Sequence, residues 1–153
     1  MLAQLSGAVM RRVAKVERAR TWGEVGIVVM ADEGIRRVNH SFLGHNRPTD
    51  VISFAYPPLP GADAWSGEVV VNVQRAVEAG RYWQARRAGW SPAHELALYV
   101  AHGCHHLSGA DDATPVERRR MRAKELRWLR ELEAEGCRLE ALIANTEMKR
   151  PCW

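Results

Sequence analysis

The sequence is short of lysine, cysteine and long apolar runs, and each shortage narrows what the chain can be. No stretch approaches the roughly 20 consecutive apolar residues of a membrane span. The opening MLAQLSGAVMRRVAKVERAR carries arginines and no acid before Glu17, the make-up of a transit peptide, but it lacks the long apolar region of a secretory signal. Its Leu2, Leu5, Val9, Val13 and Val16 fall on one helical face, so an amphipathic first helix is the preferred reading. Three cysteines, at 104, 137 and 152, form no recognisable framework, and their odd number points to a reducing cytoplasm. No repeat and no interdomain linker interrupts the 153 residues, which read as one domain able to bury a substantial core. Only Lys15, Lys124 and Lys149 are lysines among 22 basic residues, and the other 19 are arginines. A net charge of +4 favours an anionic partner without demanding one. Arginine forks suit phosphates, although genome base composition produces the same bias.

What the chain does have is one dense block of metal-binding chemistry, HGCHHLSGADD at residues 102–112. The run before it, SPAHELALYVAHGCHH, opens with Ser91 as an N-cap, Pro92 at the first helical position and Glu95 in the first turn. On the helix this predicts, Leu96, Val100, Cys104 and Leu107 share an apolar face, while Glu95, Tyr99, His102 and His106 lie on another. Gly109 can adopt the left-handed conformation that ends a helix, and the turn then carries Asp112 towards the two imidazoles. Two histidines and one carboxylate make a three-ligand site for a borderline metal such as zinc, with a position left open for water. An open position implies a metal-dependent hydrolase. Asp111 competes with Asp112 as the third ligand, and Asp112 is favoured. Glu95, seven residues before His102, is placed beneath the pair as an acceptor behind the ligands. Cys104 points about 160° from His102 on a helical wheel and reads as a buried apolar cysteine, and His105, about 60° off, flanks the site without joining it. Histidines four residues apart also occur merely as hydrogen-bonding residues of a helix. It is the glycine and the acid at ligand spacing that favour the metal.

The spacing is similar to the zinc-protease pattern HExxHxxGxxH/D, with one absence that matters. Gly103 stands where the catalytic glutamate would be, and glycine cannot accept a proton. Peptide hydrolysis by the usual zinc-protease route is therefore disfavoured.

HGCHHLSGADD resembles the HGxLHLxGYDH signature of the YbeY family, bacterial metal-dependent endoribonucleases involved in ribosomal RNA maturation. VNHSFLGHNRPTDVISFAY (38–56) resembles that family's second block, and GEVVVN (67–72) resembles its GDIVIS strand. ERRRMRAKELRWL resembles the segment after the metal site, in which a Met and a Glu recur, here Met121 and Glu125. The matches run in family order over about residues 24–133. The resemblance implies a zinc-dependent, single-strand-specific endoribonuclease that acts on ribosomal RNA, associates with the ribosome or its small subunit, and serves in ribosome quality control. It departs from the family in two places. The third ligand, usually histidine, is Asp112, whose charge lowers the Lewis acidity of the site and raises the basicity of bound water. Where many members carry an arginine thought to face the cleft, this chain reads Phe42-Leu43, and Arg47, with His45 beside it, is the candidate substitute.

The order of elements is α/β (α+β): a single small mixed sheet packed with helices, the central helix carrying the paired histidines. EVGIVVM, VISFAY and EVVVNV read as strands, the last two separated by the loop PPLPGADAWSG. ADEGIRRVNHSFLG reads as a short helix capped by Asp32, and further helices fall at about 74–88, 91–107 and 115–135, with a short frayed one after Gly136. Arg118, Arg119, Arg120, Arg122, Arg127 and Arg130, interleaved with glutamates, read as a solvated helix rather than an RNA groove. Asp50 reads as a turn carboxylate, Asn39 as a helix-end residue, and Trp65, Trp83, Trp90 and Trp128 as packing residues. The expected mechanism has zinc on His102, His106 and Asp112 acting on single-stranded RNA, Arg47 offsetting phosphate charge, and strand 67–72 with the 43–48 loop walling the cleft. Its rivals are a non-catalytic ribosome-assembly factor stabilised by the metal and, behind that, a zinc peptidase.

Overall fold

The computed structural model describes residues 1–16 and 20–144. The elements are α1 (Leu2–Val16), β1 (Trp22–Met30), α2 (Asp32–Leu43), β2 (Val51–Tyr56), β3 (Trp65–Asn72), α3 (Val73–Gln84), α4 (Pro92–Leu107), α5 (Pro115–Ala134) and α6 (Ala141–Ala144). The three strands form one mixed sheet in the order β1-β3-β2. β3 runs parallel to β1, from Val25↔Gly67 to Met30↔Asn72, and antiparallel to β2, from Val51↔Val71 to Tyr56↔Ser66. None of the described helices is long and apolar enough to cross a membrane. Cys152 and the chain beyond residue 144, with Glu17, lie outside the described residues.

Strand alternation splits the apolar side chains of β3 between two faces. Val69 and Val71 point into the main core with Leu96, Val100 and Cys104 of α4, Leu5, Val9 and Val13 of α1, and Trp128, Leu129 and Leu132 of α5. Val70 points the other way, under α2, with Ile35 and Ile52. α4 is buried along nearly its whole length because α1, α3, α5 and the sheet surround it. Each fully buried aliphatic side chain here stabilises the fold by about 1.5–3 kcal/mol. Burial also pushes the Cys104 thiol up to about 12, so it behaves as the apolar residue expected.

Two helix boundaries differ from the expected ones. Asp32 does not cap α2: Ala31 holds the cap position with no side-chain bond, and the Asp32 carboxylate instead accepts from Asn72 Nδ2 at 2.6 Å and lies 3.4 Å from Arg75 Nε. α3 stops at Gln84 rather than near 88: the Arg86 amide reaches the Trp83 carbonyl three residues back at 2.9 Å, a tighter turn, and Gly89 then takes a left-handed φ of 74°.

α4 rests on the sheet at Gly103. A Cβ added there would overlap Val69 Cγ1 and come within 2.9 Å of Val51 Cγ2 and 3.1 Å of Ser53 Oγ. The Ser53 hydroxyl donates to the Gly103 carbonyl at 2.9 Å, fixing the helix at that contact. The position that carries glutamate in zinc proteases thus has no room for any side chain. Gly103→Ala is expected to destabilise the protein by about 1–3 kcal/mol through overpacking. In a thermal melt that is a Tm lowered by roughly 3–10 °C, and an unchanged Tm would show that the helix can lift off the sheet at no cost.

Candidate metal centre

The site is built at the C-terminal end of α4. Ser91 caps the helix, accepting from the His94 amide at 3.4 Å, and Pro92 opens its first turn. Two turns of regular helix then set His102 and His106 on one face, with ring centroids 4.5 Å apart. Gly109, at φ 94°, takes the left-handed turn that brings the chain back. The returning Ala110 carbonyl accepts from His106 Nδ1 at 3.0 Å. Next along the chain, Asp112 faces the imidazoles, with Oδ2 3.7 Å from His102 Nε2 and Oδ1 3.8 Å from His106 Nε2. Asp111 turns away and accepts from the Ala113 amide at 3.2 Å. Arg118 clamps the turn, donating to the Asp112 and Ala113 carbonyls at 2.9 and 3.1 Å.

The two Nε2 atoms lie 3.1 Å apart. A carboxylate or a backbone carbonyl can only accept. His102 Nδ1 therefore donates to Glu125 Oε1 at 2.9 Å and His106 Nδ1 donates to Ala110, which leaves both Nε2 lone pairs aimed into the same space. Ligands about 2.0–2.1 Å from a tetrahedral centre stand roughly 3.3 Å apart, close to the observed separations of 3.1, 3.7 and 3.8 Å. One ligand atom from each of His102, His106 and Asp112 lies within 4.8 Å of the others. The donor set and its spacing fit a divalent cation.

Behind the paired histidines stands Glu125 of α5, 1% exposed, rather than Glu95. One of its oxygens accepts from both His102 Nδ1 and His105 Nδ1, at 2.9 and 3.0 Å. Burial pushes the Glu125 carboxyl up, but the two imidazole hydrogen bonds outweigh it and the net direction is down, so the group stays ionised. For His102 burial favours the neutral ring, and the Glu125 bond with the charges of Glu125, Asp50 and Asp112 turns the net direction upward. Glu95 is captured elsewhere: it accepts from Trp90 Nε1 at 2.9 Å and lies 3.6 Å from Arg122. His105 packs edge-on to Trp128 with centroids 4.9 Å apart, so it supports Glu125 and takes no place in the cluster.

The cluster opens into a cavity of about 650 Å³. Its walls are Asp50 and Tyr99 on one side and Arg118, Arg119, Arg122 and Leu126 of α5 on the other. The helix read from sequence as merely solvated thus supplies the cationic wall. The spacing of Met121, Trp128 and Leu132 sets the inward face of α5, but it does not say which neighbour the flanking arginines meet. Neither the 43–48 loop nor strand β3 lines this cavity, and Arg47 lines a separate one with Asn39, Leu43, His45 and Arg75. Arg47 is kept there by its carbonyl, which accepts from the buried Asn39 side chain at 2.8 Å. Asp50 does act as a turn carboxylate, accepting from the Val51 amide at 3.2 Å and the Thr49 hydroxyl at 3.0 Å, yet it also faces the cleft.

Comparison with known proteins gives a consistent answer. The sequence profile of the family described as Endoribonuclease YbeY matches residues 1–133. The protein named Endoribonuclease YbeY in Rhodopirellula baltica is 39% identical over 107 residues, covering 68% of this chain and 51% of that one. Its namesake in an Anaeromyxobacter species is 38% identical over 124 residues (81% and 58% covered), and that of Syntrophomonas wolfei is 32% identical over 136 (83% and 84%). This chain thus spans little more than half the length of the first two. The solution structure of TM1509 from Thermotoga maritima has the same fold, with a TM-score of 0.55 at 22% identity over 99% of this chain and 91% of that one.

Two outcomes test the role of Glu125. Glu125→Gln is expected to weaken retention of a divalent metal by about 10–100-fold, read by competition with a chromophoric chelator, as for other partners behind metal ligands. Unaltered retention would relieve Glu125 of that role. Its lowered pKa also predicts acid sensitivity. A carboxylate held below its ordinary value of 4.5 contributes stability that is present above that pH and lost as pH falls through the folded-state value. The metal-free native protein should therefore lose Tm more steeply below pH 4.5 than the Gln variant, and parallel acid limbs would contradict the account.

Proposed function

Because this chain belongs to the YbeY family, we propose that it is a zinc-dependent endoribonuclease acting on single-stranded RNA, in the maturation and quality control of ribosomal RNA, with His102, His106 and Asp112 as the metal ligands. The observation that carries this reading is the convergence of two Nε2 lone pairs and one carboxylate at the mouth of an arginine-lined cavity. A zinc ion so bound supplies a Lewis acid and a water of lowered pKa.

The chain's own residues do the rest. Arg119 and Arg122 face the same cavity as the ligands and supply cationic charge for a phosphodiester, the task for which Leu43 is unsuited and Arg47 misplaced. Arg118 fixes the turn that aims Asp112. Burial, then the charges of Glu95 and Asp50, push the Tyr99 hydroxyl upward, so it stays protonated as a donor to a phosphate oxygen. Glu125 holds His102 with its Nε2 directed inward. The filled space at Gly103 leaves no position for the glutamate base of a peptidase, which supports phosphodiester over peptide chemistry.

Labelled single-stranded RNA incubated with native protein, with His106→Ala and with native protein plus chelator tests the proposal. Cleavage by the native chain is expected to fall by at least about 100-fold in the variant and with chelator. Arg122→Ala should lower kcat/KM by about tenfold with metal content unchanged. Equal cleavage by native protein and His106→Ala would overturn the reading.

A further inference from the structure

Beside the metal cleft lies a second cavity, lined by Trp83, Arg86, Arg87, Trp90, Glu95 and Arg122. Arg122 lines both cavities, and α4 runs from Glu95 in the second to His102 in the first. Seven residues of helix span about 10 Å, close to three base steps at ~3.4 Å each. Sequence reasoning treats the tryptophans as packing residues. Trp90 and Trp128 are buried accordingly, but Trp83 is 44% exposed and its neighbour Tyr82 is 52% exposed.

These rings are held firmly. Tyr82 and Trp83 meet edge to face with centroids 5.1 Å apart and planes at 86°. The Trp83 carbonyl accepts both the Arg86 and the Arg87 amides, locking the turn that follows α3. The Arg86 guanidinium lies 3.7 Å over the Tyr82 ring and donates to the Tyr82 carbonyl at 2.9 Å, while that of Arg87 lies 4.2 Å over Trp90. Three arginines thus line one cavity with an exposed tryptophan. The one acid in the cavity wall, Glu95, is 3% exposed and already bonded to Trp90.

Resting on the ribonuclease reading, we propose that the end of α3 and the turn after it form a stacking platform for RNA flanking the bond cut at the metal centre. Trp83 stacks a base, and Arg86 and Arg87 contact the adjoining phosphates. The partner chemistry is that of single-stranded nucleic acid: exposed aromatic faces stack any base, and guanidinium groups beside them hold the backbone. The platform lengthens the substrate the enzyme grips without adding a group to the reacting atoms.

The test compares a four-nucleotide and a twelve-nucleotide single-stranded RNA, by fluorescence anisotropy and by cleavage, on native protein, Trp83→Ala, Trp83→Phe and the double variant Arg86→Ala/Arg87→Ala. Trp83→Ala is expected to weaken binding of the twelve-mer, and raise its KM, by about tenfold. The four-mer and kcat should not change, and Trp83→Phe should recover most of the loss. The double arginine variant should reduce the slope of log affinity against log salt by about 1.4, the value for two phosphate contacts. Circular dichroism of each variant confirms the fold. Equal twelve-mer binding by native protein and Trp83→Ala, or equal losses on both RNAs, would overturn the platform. If the native chain cuts no RNA while Trp83 still governs twelve-mer binding, the nuclease reading falls and the platform stands.

Discussion

One buried carboxylate organises the site. Glu125 reaches from α5 to take hydrogen bonds from both His102 and His105 of α4, so a single oxygen fixes the rotation of two imidazoles and joins two helices. An ionised group 1% exposed would be costly without partners. Here the two imidazole donors hold its charge, and the His102 bond leaves that ring's Nε2 facing His106 Nε2. For His102, support, tautomer and electrostatics all come from this one contact, and the same helix carries Arg122 of the cationic wall one turn earlier.

The second constraint is spatial. α4 sits flush on the sheet because Gly103 offers no side chain, and the strands fill the place where a protease would put its base. Gly109 then reverses the chain so that Ala110 and Asp112 return to the histidines within a few residues. One face of a single helical segment therefore gives two of the candidate ligands and its own turn gives the third. Distant elements supply only support and charge.

This division explains what could be read from the sequence. The juxtaposition of His102, His106 and Asp112 was legible because helix geometry and a glycine turn are local, and the mixed sheet was legible from the patterns of EVGIVVM, VISFAY and EVVVNV. Glu95 was assigned beneath the pair by helical spacing alone, yet Trp90 captures it, a contact that depends on the loop before α4. Glu125 lies 23 residues from His102, and Arg118, Arg119 and Arg122 turn to the cleft only through the packing of α5. Arg47 lines a separate cavity, a placement that its nearness in sequence to Leu43 does not reveal. Interactions closed within a turn could be read; those closed by helix packing could not.

The central claim is that the protein itself presents two unprotonated Nε2 atoms to a metal by holding Nδ1–H of His102 on Glu125 and Nδ1–H of His106 on Ala110. Two-bond nitrogen–proton correlation spectra of the histidine rings, recorded before and after addition of one equivalent of zinc, test it directly. The account predicts that both rings in the zinc-loaded protein are Nδ1–H tautomers with strongly shifted Nε2 signals. An Nε2–H tautomer at either ring, or Nε2 signals unmoved by zinc, would contradict it.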